Sequence, residues 1–242
     1  MTEDMAGNYF KFKQFTVHQG TSVFRVTTDS VLLGAWAAVE GAENILDIGT
    51  GTGLLALMAA QRSDARIVAL EPDRNAFSQA GDNFANSPWH ERITLLNNPI
   101  QDYRPAGSLL FDAIITNPPY FVDSLPNPDE AMARARHTVS LSHADLAGAA
   151  ARLLVPAGTL HLVLPVSEAV RFIALAREFN LNCLKRMFVR PTPGLPPARV
   201  LMSLHRGGPQ GCEESEIVIE KGGRHLYSDE YVSLTKDFYL KF

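Results

Sequence analysis

Short apolar runs recur along this chain, each closed by glycine, proline or an acidic residue, and stretches of helical composition separate them. Ile45-Leu46-Asp47-Ile48 is the first clear run. It passes into Gly49-Thr50-Gly51-Thr52-Gly53 and then into Leu54 to Ala60, which reads as a helix. A second strand is expected over Arg66 to Leu70, ending at Glu71, and a third over Phe111 to Thr116, ending at Asn117. Beyond these, Leu141 to Leu154 reads as helix, Thr159 to Leu164 as a buried strand, Ser167 to Glu178 as helix, and Leu184 to Val189 and Arg199 to Leu204 as strands. Pro209-Gln210-Gly211 with Glu213, Glu214 and Glu216 reads as an exposed connector before a final strand, Ile217 to Glu220. Strands alternating with helices predict an α/β fold with one parallel, doubly wound sheet. The 242 residues suffice for one such domain with a full core, and no internal repeat is visible.

Sheets of this kind bind ligands at the carboxyl ends of their strands, near the point where strand order reverses. Gly49 and Asn117 follow two strands that would flank that point, so two sets of chemistry-bearing residues are expected to meet there. The first set reads as a nucleotide site. Its glycines permit a tight turn and close approach of backbone to ligand, and the following helix start presents N–H groups to an anionic group. Glu71 can accept hydrogen bonds from both hydroxyls of a ribose. A dinucleotide fingerprint would need its third glycine where Leu54 stands, whereas this chain has Gly53 one residue earlier. The second set, Asn117-Pro118-Pro119-Tyr120, is suited to holding a planar amine. The Asn117 carbonyl can accept one N–H of an exocyclic NH2, the Pro118 carbonyl the other, and Tyr120 offers a ring face for stacking. A residue before proline is kept extended, which stiffens this corner. Asn-Pro is also an ordinary turn initiator, so the corner takes its meaning from the glycines upstream. A hydride-transfer enzyme has no need of an amine clamp. A sulfonium methyl donor with an amine acceptor fits both sets.

Asp47-Ile48-Gly49-Thr50-Gly51-Thr52-Gly53 together with Asn117-Pro118-Pro119-Tyr120 resembles the class I S-adenosylmethionine-dependent methyltransferases that modify planar amino groups. Adenine N6 in nucleic acids and the glutamine amide of release factors are among their substrates. Lys13-Gln14-Phe15, Thr28-Asp29-Ser30-Val31-Leu32-Leu33-Gly34-Ala35-Trp36, Ser87-Pro88-Trp89 and Phe238-Tyr239-Leu240 extend the likeness over nearly the whole chain. They resemble the bacterial family that methylates N6 of the adenine 3′ of the anticodon in a valine tRNA. The resemblance implies a Rossmann-like sheet of seven strands, the last antiparallel, with an N-terminal extension over about residues 1–28. For the cofactor it implies Gly49, Gly51 and Gly53 beside the methionyl part, Asp47 orienting that turn, Glu71 on the ribose and Pro72 on the adenine face. Thr28 and Asp29 would close over the methionine end. Asn117 and Pro118 are implied as the catalytic acceptors, Asn117 also bordering the cofactor, with Tyr120 stacking on the base. Pro99 stands where family members often carry an acidic residue that receives the cofactor's adenine amine, which leaves that contact to Asn98 or the Ile100 backbone. Two alternatives share these motifs: methylation of a protein glutamine, and a nonenzymatic RNA-binding domain with a relic pocket.

A net charge of −4 argues against a strongly basic nucleic-acid binder and leaves RNA contact to a local positive face. From Leu184 to Arg206 the chain holds Lys185, Arg186, Arg190, Arg199 and Arg206 with no Asp or Glu, and Arg134, Arg136 and His137 form a second cluster. Tyr120, Arg136, His137, Arg190 and Arg199 are the candidate substrate contacts, with a solvated surface face as the competing reading. The loop Pro191 to Pro197, with four prolines, would form a stiff wall beside the site if its preceding strand runs parallel to the others. Cys183 and Cys212 lack ligand-like spacing and read as free thiols, so neither a metal site nor a disulfide framework is expected. The polar start of the chain has no apolar signal core, and no apolar run approaches membrane-spanning length. A cytosolic enzyme acting on tRNA is implied, with no DNA or membrane partner and an open oligomeric state.

Overall fold

A computed structural model describes residues 8–20, 25–107, 109–119, 141–209 and 211–242. A hairpin of β1 (Tyr9–Lys11) and β2 (Thr16–His18) precedes helix α1 (Thr28–Trp36). There follow β3 (Asn44–Ile48), α2 (Leu54–Arg62), β4 (Arg66–Leu70), α3 (Arg74–Ala85), β5 (Ile93–Leu96) and β6 (Phe111–Thr116). The remaining elements are α4 (His143–Leu153), β7 (Leu154–Pro165), α5 (Val166–Ala176), β8 (Leu181–Arg190), β9 (Arg199–Arg206), β10 (Glu213–Val218) and α6 (Asp229–Thr235). Among the described residues no helix is long and apolar enough to cross a membrane.

Eight strands form the main sheet in the order β10-β8-β9-β7-β6-β3-β4-β5. Strands β3 to β7 pair in parallel, and β9 runs antiparallel to both of its neighbours, β7 and β8. The expected seven strands with an antiparallel seventh are therefore present. An eighth, β10, is added parallel to β8 at the edge. This corrects the reading of Glu213, Glu214 and Glu216 as a connector: they lie in the last strand, which begins four residues earlier than expected and ends at Val218. An edge strand meets solvent on one side and tolerates charge, which also discourages pairing with another chain. Here the charge is matched as well, since Glu214 pairs with Arg186 and Glu216 with Arg190 Nε at 2.7 Å.

The neighbouring of β8 and β10 also corrects the reading of the cysteines. Cys183 and Cys212 are 29 residues apart in sequence, yet their Cα atoms are 5.1 Å apart and the two are joined as a disulfide. That spacing lies within the range a bridge requires.

Pleating sends alternate side chains to opposite faces of the sheet, and each face carries its own core. Ile45, Ala113, Ile115 and Leu201 point to the cluster that receives α1 and α2. Leu46, Ile48, Ile114, Met202 and Leu204 point to the cluster covered by α4 and α5. The end motifs of the sequence converge on the first of these clusters. Phe12 bridges to Tyr239 in antiparallel fashion, Lys13 N–H donates to the Phe238 carbonyl at 2.8 Å, and the Phe15 ring meets Trp89 edge-on at 5.8 Å. Lys13-Gln14-Phe15, Ser87-Pro88-Trp89 and Phe238-Tyr239-Leu240 thus belong to one packed clasp that ties the N-terminal hairpin to the segment after α6.

Candidate active site

In the sheet, β3 lies between β4 and β6, with Asp47 opposite Ala69 on one side and Ile115 on the other. The residues just beyond the strands, Glu71, Gly49 and Asn117, therefore stand side by side on one edge, on strands about 4.8 Å apart. Thr116 Oγ1 donates to the Ile48 carbonyl at 2.8 Å and locks the two strand ends together. From β3 the chain builds β4 and β5 on one side and then crosses to β6 on the other, so this edge is the reversal point. The glycine turn and the Asn-Pro-Pro corner meet there.

Gly49, Gly51 and Gly53 all have positive φ, at 68°, 59° and 91°. A Cβ on Gly53 would lie 2.5 Å from the Phe84 ring, whereas one on Gly49 would meet nothing within 4 Å. The backbone at Gly49 thus borders open space. Side chains hold the turn from two directions. Glu71 Oε2 accepts from Gly51 N–H at 2.8 Å, and Asp47 Oδ2 accepts from Thr50 Oγ1 at 2.5 Å and from Ala56 N–H at 3.1 Å. The last bond places a carboxylate at the N-terminus of α2, where the helix favours negative charge.

Asp47 is fully buried, and its Oδ1 has no hydrogen-bond partner among the described residues. Burial pushes its pKa up to about 7, with the Glu71 carboxylate adding to the shift and the bonds from Thr50 and Ala56 opposing it. Glu71 is also raised by burial and by Asp73, against the N–H groups of Asp73 and Gly51. The buried, unpartnered Asp47 Oδ1 calls for a donor from outside the described residues, and each Glu71 oxygen, bonded once to a backbone N–H, can accept a second hydrogen bond. A ligand carrying an ammonium group and ribose hydroxyls meets that demand, so these residues fit the cofactor expected from the motifs.

On the other side of the edge, Asn117 Nδ2 donates to Ser30 Oγ at 2.8 Å, while its Oδ1 has no partner among the described residues. Ser30 Oγ is 3.0 Å from Thr27 Oγ1, the N-cap of α1, which also accepts from Ser30 N–H at 3.2 Å. Pro118 is buried and anchors the corner. Thr28 is exposed at the first turn of α1, and Asp29 accepts from Arg199 Nε at 2.8 Å, which draws the start of α1 to the start of β9.

Past β5, Asn97 Nδ2 donates to the Glu71 and Pro72 carbonyls at 2.8 and 3.1 Å, bringing this loop against the ribose-binding candidate. Asn98 is partly exposed in the same loop, and the Ile100 side chain is buried in the core, so only its backbone can face a ligand. Strand β8 does run parallel to β7, since both oppose β9, and the loop after Arg190 therefore emerges on the edge that carries the site. Arg190 Nη1 holds the Leu195 carbonyl at 2.8 Å across that loop.

The run of basic residues, free of acids in sequence, is matched in space. Arg186 and Arg190 pair with glutamates of β10, Arg199 with Asp29, Lys185 lies 4.5 Å over the Trp36 ring and Arg206 donates to the Leu154 carbonyl. Tyr120, Arg134, Arg136 and His137 lie outside the described residues. Sequence reasoning gave no part to Ser30, Thr50, Asn83 or Asn97. The Asp-x-x-Thr spacing of Asp47 and Thr50 was a usable signal for one of them. The others depend on contacts between distant elements.

A family model described as the methyltransferase small domain matches residues 15–183. A Bacteroides thetaiotaomicron protein named tRNA1(Val) (adenine(37)-N6)-methyltransferase is 46% identical over 238 residues, covering 98% of this chain and 99% of its own. One of the same name from Aeromonas hydrophila is 45% identical over 234 residues, covering 96% and 97%. Among solved structures, a predicted O-methyltransferase from Agrobacterium tumefaciens superposes with a TM-score of 0.68 at 22% identity, over 87% of this chain and 96% of the other, and shares the fold. The chain belongs to the methyltransferase small domain family and, within it, to the group of the tRNA1(Val) (adenine(37)-N6)-methyltransferases.

Proposed function

We propose that this protein transfers a methyl group from S-adenosylmethionine to the exocyclic N6 of an adenine in tRNA, the one on the 3′ side of the anticodon of a valine tRNA. The observation that carries the chemistry is Asn117 beside Gly49 on the neighbouring strand end, with its donor end committed to Ser30 and its acceptor end uncommitted among the described residues. The substrate class follows from relatives of nearly equal length that bear this activity in their names.

Gly49, Gly51 and Gly53 would receive the methionyl part of the cofactor, Asp47 would orient that turn and reach the amino group through water, and Glu71 would take the ribose, with Pro72, Asn98 and the Ile100 backbone around the adenine. Thr28, Asp29 and Asn117 would border the methionine end. When bound, S-adenosylmethionine supplies a methyl group already activated by the cationic sulfonium that carries it. The protein's own task is to prepare the acceptor. Adenine N6 is a weak nucleophile because its lone pair is delocalised into the ring. Asn117 Oδ1 accepts a hydrogen bond from one N6–H and the Pro118 carbonyl from the other, which draws electron density onto the nitrogen and favours the positive charge that grows there; once the nitrogen carries the methyl, its surplus proton leaves to water. Tyr120 stacks on the base. An anticodon-loop base is cheaper to extrude than a duplex base, on a scale of a few kcal/mol.

Arg136, His137, Arg190 and Arg199 are assigned to the surrounding RNA. Arg190 and Arg199 hold carboxylates in the free protein, so a phosphate has to share or displace those partners. The residues 1–242 act as one catalytic domain, and a tRNA substrate puts its work in the cytoplasm.

Asn117→Ala tests the assignment directly. Methyl incorporation into tRNA is expected to fall by about 100-fold or more, with affinity for S-adenosylmethionine kept, because the amide acts on the acceptor in the transition state. Near-normal turnover would remove Asn117 from the chemistry. Labelled cofactor offered to separate tRNA and release-factor pools identifies the acceptor, and label in the protein pool alone would replace adenine with glutamine.

A further inference from the structure

Asn83 is an amide side chain on α3 that is almost fully buried, at 1% exposure, and every polar atom it carries is used on backbone from other elements. Its Oδ1 accepts from His18 N–H at 2.9 Å, and its Nδ2 donates to the His18 carbonyl at 2.9 Å and to the Thr52 carbonyl at 2.8 Å. His18 closes the N-terminal hairpin, and Thr52 lies between Gly51 and Gly53 in the glycine turn. Toward the hairpin the amide behaves as one more strand residue, meeting both backbone groups of His18. Toward the turn it donates to the Thr52 carbonyl, whereas Asp47 and Glu71 accept from the hydroxyl and N–H groups of Thr50 and Gly51.

The turn is thus tied by side chains from three places. Asp47 comes from β3, Glu71 from the end of β4 and Asn83 from α3. Asn83, buried and with both of its N–H groups spent on backbone carbonyls, acts on a ligand through the turn. A second amide continues the brace, since Gln19 Oε1 accepts from Val26 N–H at 2.7 Å, just before the α1 N-cap. Through Asn83, and through Gln19 directly after His18, the hairpin is therefore linked to both the glycine turn and the lead into α1.

We infer that Asn83 is a positioning residue for the glycine turn, and that through it the hairpin Tyr9–His18 sets the affinity for S-adenosylmethionine. This rests on the reading of the glycine turn as the cofactor site. Asn83→Asp keeps the acceptor for His18 N–H and sets an oxygen against two carbonyls, so it strains the brace while preserving shape. Cofactor affinity, read by calorimetric titration with S-adenosylhomocysteine, is expected to weaken about tenfold or more. KM for S-adenosylmethionine should rise likewise, while kcat at saturating cofactor and KM for tRNA hold near the wild-type values. A merely structural role would not split the parameters in this way. Phe172→Leu, in the other core cluster, serves as a control of comparable thermal destabilisation with unchanged cofactor affinity.

Glu71→Ala separates the two levels of the argument. If Glu71→Ala loses affinity and Asn83→Asp binds as the wild type does, the positioning role is overturned and the cofactor site stands. If both bind as the wild type does, the cofactor site itself is misassigned. Hydrogen exchange on the unaltered protein gives a reading that needs no variant to fold. Saturating cofactor is expected to slow exchange of the His18 amide, and an unchanged rate there would overturn the coupling.

Discussion

Ser30 decides which end of the Asn117 amide faces the substrate. An amide presents a donor and an acceptor of nearly the same shape, and only the acceptor suits an amine, so an amide turned the wrong way would oppose two N–H donors to one another. Committing Nδ2 to Ser30 Oγ removes that choice. Ser30→Ala is expected to lower kcat for tRNA methylation by roughly 3- to 10-fold, the scale of one hydrogen bond, and to leave cofactor affinity unchanged. A kcat equal to that of the wild type would show that the corner itself orients the amide. The contrast between these two residues shows what the sequence could reveal at this scale. Asn117, Gly49 and Glu71 advertise their chemistry through their immediate neighbours: a proline, a run of glycines, a strand end. Ser30 and Asn83 act across 87 and 65 positions respectively, and nothing beside them in the chain marks their partners.

Elements were legible where periodicity and breaks were strong. The strands Arg66–Leu70 and Phe111–Thr116 have the bounds expected of them, because each is a nearly continuous apolar run stopped by an acidic residue or an Asn-Pro corner. Helix α3 was not legible, for only Ala76, Ala80, Asn83 and Phe84 of its twelve residues are buried, and this narrow stripe includes a polar side chain. The hairpin and the four-residue β5 are too short for a period to register. The first part of β10, Glu213 to Glu216, reads as a connector in the sequence because its acids serve an edge rather than a core, while the end of the strand is expected from Ile217. That edge has a measurable effect. Glu216 pairs with Arg190 on the rim assigned to RNA, so Glu216→Gln is expected to lower KM for tRNA a few-fold and to steepen its dependence on salt. An unchanged salt slope would show that Arg190 meets no phosphate.

At the scale of the whole molecule, the carboxylates of the site cost stability in the cofactor-free protein. The pKa of Asp47 is raised to about 7 in the fold from an ordinary 3.8, so between those values the folded chain holds a proton that the unfolded chain has released. Stability from this group is therefore greatest at the acid side of the window, declines as pH rises toward about 7 and levels off above it. The scale is a few kcal/mol. Urea unfolding of the cofactor-free protein at pH 5 and pH 8 is expected to show a smaller loss in Asp47→Asn than in the wild type, and equal losses would mean that Asp47 is ionised throughout. The clasp of Phe12 with Tyr239 has a consequence of a different kind. A bridge between Phe12 and Tyr239 can close only after residue 239 has been synthesised, later than every residue assigned to the cofactor. A ribosome-bound nascent chain that has already emerged past β9 would own every cofactor ligand and still lack the latch that steadies its first hairpin, so its grip on the methyl donor should tighten only once the final aromatic residues have left the exit tunnel.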